Sequence, residues 1–155
     1  MRKSNREITN IDEIIDIITN VSTIRLGFND TPYPYVVPVS FGFDFNGEKL
    51  NFYFHGACAG KKVELINTNP NVCVEGDIFH RYLDTIKSVT CLYESFIAYG
   101  KCTKLSDEDA IYGLNQILKH CNYANHYFNP EVLPILNVYK IEIDSITAKH
   151  RTKNN

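Results

Sequence analysis

The stretch His55-Gly56-Ala57-Cys58-Ala59-Gly60-Lys61-Lys62 holds the groups in this sequence best suited to chemistry. A run of small residues leads into two lysines that open the helical pattern Val63-Glu64-Leu65-Ile66, closed by Asn67-Thr68-Asn69-Pro70. Loop amides, the unpaired N–H groups of a helix start and an ammonium together hold a phosphate group. The spacing is not that of the nucleoside-triphosphate loop, which would need Gly at 55 and a hydroxyl at 62, where His55 and Lys62 stand. Taken alone, the lysine pair also fits the solvated start of a surface helix. His55 has two readings as well: a site imidazole that titrates near about pH 6.5, or a strand-end residue satisfied by the backbone.

Other chemistries lack a comparable anchor. The five cysteines, Cys58, Cys73, Cys91, Cys102 and Cys121, and the five histidines form no Cys-x2-Cys or His-x3-His pair. His120-Cys121 with His126 is the nearest approach to metal-ligand spacing, and no metal site is assigned. There is no Gly-x-Ser-x-Gly nucleophile signature.

The elements that must carry these residues follow from periodicity. Ile8, Ile11, Ile14, Ile15 and Ile18 share one helical face, with Thr9 or Asn10 as cap. Thr23–Phe28 alternates as a strand. Tyr35–Phe43 reads as a second strand that returns through Asn46-Gly47 and Leu50–His55 as a hairpin, with Pro38 marking an edge or a bulge. Asn71–Gly76 and Val89–Lys104 continue the strands. Ser106-Asp107-Glu108-Asp109 opens a helix that runs to about His120, in the manner of a capping box with Asp in place of Glu. A loop with Pro130 and Pro134 precedes a last strand, Leu136–Ile143. The result is a mainly β domain with flanking helices, an antiparallel barrel or α+β arrangement in preference to a doubly wound parallel sheet.

Composition narrows the partners. The chain has 155 residues, 44% hydrophobic and 22% charged, with 16 Lys+Arg against 18 Asp+Glu and a net charge of −2. That is one domain's worth, 1–155, with about 1–7 and 150–155 expected as loose ends. Near-neutral charge supplies no footprint for nucleic acid or an anionic membrane. No apolar run approaches the ~20 residues needed to cross a bilayer. Asp12, Glu13 and Asp16 break the N-terminal apolar stretch, unlike a signal peptide, so a cytoplasmic location is expected, and an odd cysteine count fits a reducing compartment. The chain has 10 Tyr and 9 Phe but no Trp.

Five segments occur in a telling order: Pro34-Tyr35-Val36-Val37-Pro38, Tyr53-Phe54-His55-Gly56, Gly60-Lys61-Lys62, Asn69-Pro70-Asn71-Val72, and Tyr93-Glu94-Ser95-Phe96-Ile97-Ala98-Tyr99-Gly100. In this order they resemble the pyridoxamine 5'-phosphate oxidase-like split-barrel flavoproteins, closest to the nitroimidazole-resistance (Nim) subgroup, over roughly residues 5 to 150. The resemblance implies a six-stranded antiparallel split β-barrel and a homodimer with FMN at the subunit interface. On this reading Val37, Pro38, Val39 and Ser40 line the isoalloxazine and ribityl chain through backbone groups. His55 and Gly56 sit beside the ribityl-phosphate, Lys61 and Lys62 hold the phosphate, and Ser95 lies where the partner subunit approaches the flavin. His55 is then the catalytic candidate.

The implied function is an FMN-dependent oxidoreductase that passes electrons from reduced flavin to a small electron-poor acceptor such as a nitroaromatic. The alternative on the same fold is a non-catalytic flavin- or haem-binding or sensing module, with His55 or His126 as the candidate haem ligand. Pyridoxamine phosphate oxidation itself is disfavoured, because Arg151 is the only Arg in the C-terminal third. The tail Ser145-Ile146-Thr147-Ala148-Lys149 departs from the pattern of relatives that carry a Trp near a final Thr-Gly-Lys.

Overall fold

The computed structural model describes residues 4–126 and 130–152. Helix α1 (Ile11–Asn20) starts at Asn10, whose side chain accepts from the Asp12 N–H at 2.8 Å. Of the two expected caps, Asn10 is the one used. Ile8 lies outside the helix, in the short strand β1 (Glu7–Ile8). Ile14, Ile17 and Ile18 are buried, and each contributes about 2 kcal/mol of apolar transfer.

The remaining elements are β2 (Ile24–Phe28), β3 (Tyr35–Val39), β4 (Gly42–Phe45), β5 (Leu50–Ala57), α2 (Lys61–Thr68), β6 (Asn71–Asp84), β7 (Val89–Leu105), α3 (Asp107–His120) and β8 (Leu136–Arg151). All ladders are antiparallel, in the order β3-β2-β6-β7-β8-β5-β4, with β1 beside β8. The mainly antiparallel class expected from sequence holds, with eight strands among the described residues in place of six. The additions are β1 and the division of Tyr35–Phe43 into β3 and β4.

That division corrects the expected hairpin. Only β4 pairs with β5, through Gly42↔Tyr53 to Phe45↔Leu50, while β3 pairs with β2. The two end strands of the sheet are therefore joined by Ser40 and Phe41 alone. Three Cα steps of at most about 3.8 Å span roughly 11 Å, so the sheet must curl until its edges nearly meet. A split barrel follows from this connection. Its interior is filled by Phe41, Phe52, Phe54, Phe96, Leu26, Val74 and Ile141, each at most 1% exposed. Phe52 and Phe96 stack across it, with centroids 5.8 Å apart.

Several boundaries differ from the pattern reading. Strand β6 continues past Gly76 to Asp84, and its register shifts between Phe79 and Arg81, where the alternation breaks. Strand β8 continues past Ile143 to Arg151 through largely polar sequence. Ser106 has cap geometry, but its side chain makes no capping hydrogen bond. The loop before β8 contains a 3₁₀ turn, Pro130–Ile135. Part of the expected loose ends lies outside the described residues; within them, Glu7 pairs with Lys149 and β8 reaches Arg151.

Candidate functional site

Strand β5 carries His55, Gly56 and Ala57 to the end of the barrel, where they pair with Val138, Asn137 and Leu136 of β8. The chain then turns through Cys58–Gly60. Gly60 has φ of +116°, a conformation that favours glycine, and it opens α2 directly. The N–H groups of Val63 and Glu64 both reach the Gly60 carbonyl, at 2.9 and 3.2 Å. Those of Lys61 and Lys62, in the first turn, have no acceptor within the helix.

The two lysines are not equivalent. Lys61 is exposed and its Nζ pairs with Asp30 at 3.0 Å, tying α2 to the loop after β2. Hydrogen bonds from Lys61 and from the Thr31 N–H hold the Asp30 carboxyl below its usual range. Lys62 is half-buried and folds back over the barrel mouth, its Nζ 5.1 Å from the Phe54 ring centroid. It forms no ion pair among the described residues. Burial lowers its pKa, and only the nearby Cys102 acts in the other direction. Cys102 itself is pushed up to about 12 by burial.

Gly56 makes room for this ammonium. A Cβ at residue 56 would stand 2.6 Å from the Lys62 Nζ. His55, next to it, is exposed at the strand end, yet partial desolvation first and the Lys62 charge second hold its imidazole below the ordinary value. The imidazole is therefore neutral at pH 7. Both shifts have the same sense and the same first cause, burial, and a bound anion would oppose both.

Sequence reasoning missed the wall behind Lys62. Tyr139 stacks on Phe54, with centroids 5.0 Å apart and planes inclined by 16°. Its hydroxyl accepts from the Asn137 amide at 3.0 Å, and Asn137 is itself only 3% exposed. Alternation placed Tyr139 on the apolar face of β8, where it lies, but gave no sign that the spacing of two to Asn137 would join them.

The segment Val37-Pro38-Val39-Ser40 reaches the same end of the barrel. Val37 and Val39 lean on the core, while Pro38 faces outward opposite Arg25 on an edge strand, where a missing N–H costs no ladder bond. Ser40 lies outside both ladders. Continuing the Gly42↔Tyr53 register by two residues sets it level with His55. Ser95 is elsewhere. It pairs with Asp77 and Lys149 and, with Ile97, Thr147 and Lys149, lines a shallow cavity of about 240 Å³ on the outer face of the sheet. Lys149 is eleven positions along β8 from Val138, the neighbour of His55, on the order of 35 Å of strand. Within one chain, Ser95 does not join the mouth.

His120 has a packing role. Its Nε2 lies 2.8 Å from the Val21 carbonyl and its ring centroid 4.2 Å from that of Phe41, so it pins the end of α3 to the β3–β4 connection.

A curled antiparallel sheet whose two end strands are joined by two residues defines a split barrel. The family model described as pyridoxamine 5'-phosphate oxidase matches residues 10–150, and the chain belongs to that family. Among solved structures, a candidate 5-nitroimidazole antibiotic resistance protein from Bacteroides thetaiotaomicron is 26% identical, with TM-score 0.82 over 93% of this chain and 86% of that one. The flavocytochrome Anf3 from Azotobacter vinelandii shares the fold at 16% identity and TM-score 0.79, covering 98% of this chain and 72% of the other. A FAD-binding protein from Mesorhizobium loti shares it at 18% identity and TM-score 0.69, covering 95% and 98%. No curated protein sequence matches the chain.

Proposed function

We propose that the chain binds FMN at the barrel mouth of a homodimer and acts as an oxidoreductase toward a small electron-poor acceptor such as a nitroaromatic. The observation that carries this reading is Lys62: a half-buried ammonium, unpaired among the described residues, beside Gly56 and the free N–H groups of α2. That donor set fits a terminal phosphate. A bound flavin would supply the electron transfer, which no side chain here performs.

In this reading Lys62 carries the phosphate charge and Lys61 contributes its N–H, its ammonium being engaged by Asp30. Gly56 keeps the approach open. Val37, Pro38, Val39 and Ser40 present backbone groups along the ring and ribityl chain, and Ser95 comes from the second copy. His55 serves as the neutral hydrogen-bonding group beside substrate and cofactor. The kinship with a candidate 5-nitroimidazole resistance protein supports the acceptor class.

The test is direct. The purified protein should show a flavin absorption band, or acquire one with added FMN, and bound flavin reduced by dithionite should be reoxidised by a 5-nitroimidazole under anaerobic conditions. A colourless protein that cannot be reconstituted rejects flavin binding. Flavin that no acceptor reoxidises leaves a binding or sensing module, and a Soret band would assign that module to haem.

A further inference from the structure

Two lysines stand side by side at the start of α2 and differ in the chemistry open to them. Lys61 is exposed, and its ammonium has a carboxylate partner in Asp30 at 3.0 Å. Lys62 forms no ion pair among the described residues and turns back over the mouth, its Nζ 5.1 Å from the centre of the Phe54 ring. Phe54 is fully buried and Tyr139, stacked on it, is 2% exposed, so the amine rests against a dry aromatic wall. The missing Cβ of Gly56 leaves the space that it occupies: an atom there would stand 2.6 Å from Nζ and 3.1 Å from Cε.

A lysine amine is a nucleophile only when neutral, and apolar surroundings without a counter-charge favour the neutral form. Burial acts on Lys62 in that direction. The same place can hold a leaving group. The N–H groups of Val63 and Glu64 are taken by the Gly60 carbonyl, whereas those of Lys61 and Lys62 have no acceptor within the helix. A reagent that ends in a phosphate, held there, would bring its neighbouring carbon beside the Lys62 amine, and such proximity is what makes a slow bimolecular attack fast.

We propose that Lys62 is a site of acylation by small acyl phosphates, which the mouth holds by their phosphate while the Lys62 amine attacks the acyl carbon. In this step the nitrogen bonds to that carbon and the bond from the carbon to the bridging oxygen breaks. Phosphate leaves with the electron pair, and the nitrogen releases one proton to solvent. The amide formed carries no charge, so the acylated chain loses the cation of its mouth. The proposal rests on the phosphate part of the reading above and goes beyond it: bound FMN covers Lys62, and only chains without the cofactor are modified.

The experiment uses the natural chain freed of any bound flavin and incubated with acetyl phosphate at about pH 8, below the ordinary lysine range. Peptide mass spectrometry follows acetylation at each lysine over time. Lys62 should react at least about tenfold faster than Lys61, Lys87 or Lys101, all of them exposed. Inorganic phosphate and FMN should each slow the reaction at Lys62 and leave Lys87 unchanged. Acetylation of Lys62 no faster than that of Lys87 overturns the proposal. So does fast acetylation that phosphate does not slow, or equal selectivity with the uncharged donor phenyl acetate, because an anchored phosphate then contributes nothing. The flavin reading fails separately: a chain that binds no FMN yet shows phosphate-protected acetylation of Lys62 supports the acylation site and rejects the flavin. Flavin binding with uniform acetylation does the reverse.

Discussion

At the barrel mouth, Lys62 lies 5.1 Å from the centre of the Phe54 ring, and the polar and cationic groups around it come from β5, α2 and β8 of a single chain. On the outer face, Ser95, Ile97, Thr147 and Lys149 border an open cavity of about 240 Å³. The first region is held by ladder register and by the Gly60 turn, so its charge is pre-organised at the cost of desolvating an ammonium. The second is a row of side chains on a sheet, and its role depends on what lies against it. On the proposed reading, the mouth sets what binds and the outer face sets whether the site is complete.

Substitutions can separate the two regions. The largest effect is expected from Lys62→Glu, which places a carboxylate at the phosphate position: FMN binding should fall below detection by fluorescence titration while circular dichroism stays unchanged. Next is Ile97→Asp on the outer face. Gel filtration should show dimers dissociating, and FMN affinity should drop with them by about tenfold or more, as expected when charge is buried in an apolar interface. Retention of affinity by the monomer would break the distinction. Gly56→Ala acts within the mouth alone. Its Cβ would meet the Lys62 Nζ, the movable end of a side chain, so stability should change by less than about 1 kcal/mol while FMN affinity falls roughly tenfold. The smallest effect is expected from Lys61→Ala, because that ammonium already pairs with Asp30. A two- to threefold loss, on the order of 0.5 kcal/mol in binding, is the expected result.

The pH dependence also belongs to the mouth. The Lys62 pKa is lowered, so FMN affinity should decline at a pH below the ~10.4 of an exposed lysine, and the decline should be absent in Lys62→Ala. For His55 the folded-state pKa is also lowered, so the unfolded chain binds the proton first as pH falls. Its contribution to stability is present above about pH 6.5 and is lost as pH falls through the lower folded value. His55→Gln should flatten that part of a pH series of thermal unfolding.

The loop from His55 to Lys62 was legible in the sequence because small residues, a helix start and two lysines have few other joint uses. Pro38 marked an edge strand for a similar reason: the missing N–H restricts where it can sit. The difference between Lys61 and Lys62 was not legible, because it depends on Asp30, thirty-one positions away, and on Phe54 and Gly56 beneath the helix. The β3–β4 division was hidden because Tyr35–Phe43 alternates throughout, and only tertiary closure distributes it between the two ends of the sheet. The outer half of β6 was hidden for the opposite reason, since its register shift breaks the alternation. Asn137 and Tyr139 read as ordinary strand residues because hydrogen bonding within a strand face leaves no spacing signature.

In the proposed reading, the Lys62 ammonium is the anion receptor of the mouth. The most direct test of that assignment is the ratio of FMN to riboflavin affinity, measured by fluorescence quenching in the natural chain and in Lys62→Ala. The natural chain should prefer FMN by about 100-fold, as a charge-assisted phosphate contact of roughly 3 kcal/mol requires, and the variant should bind the two nearly alike. An FMN preference of equal size in both proteins would contradict the account.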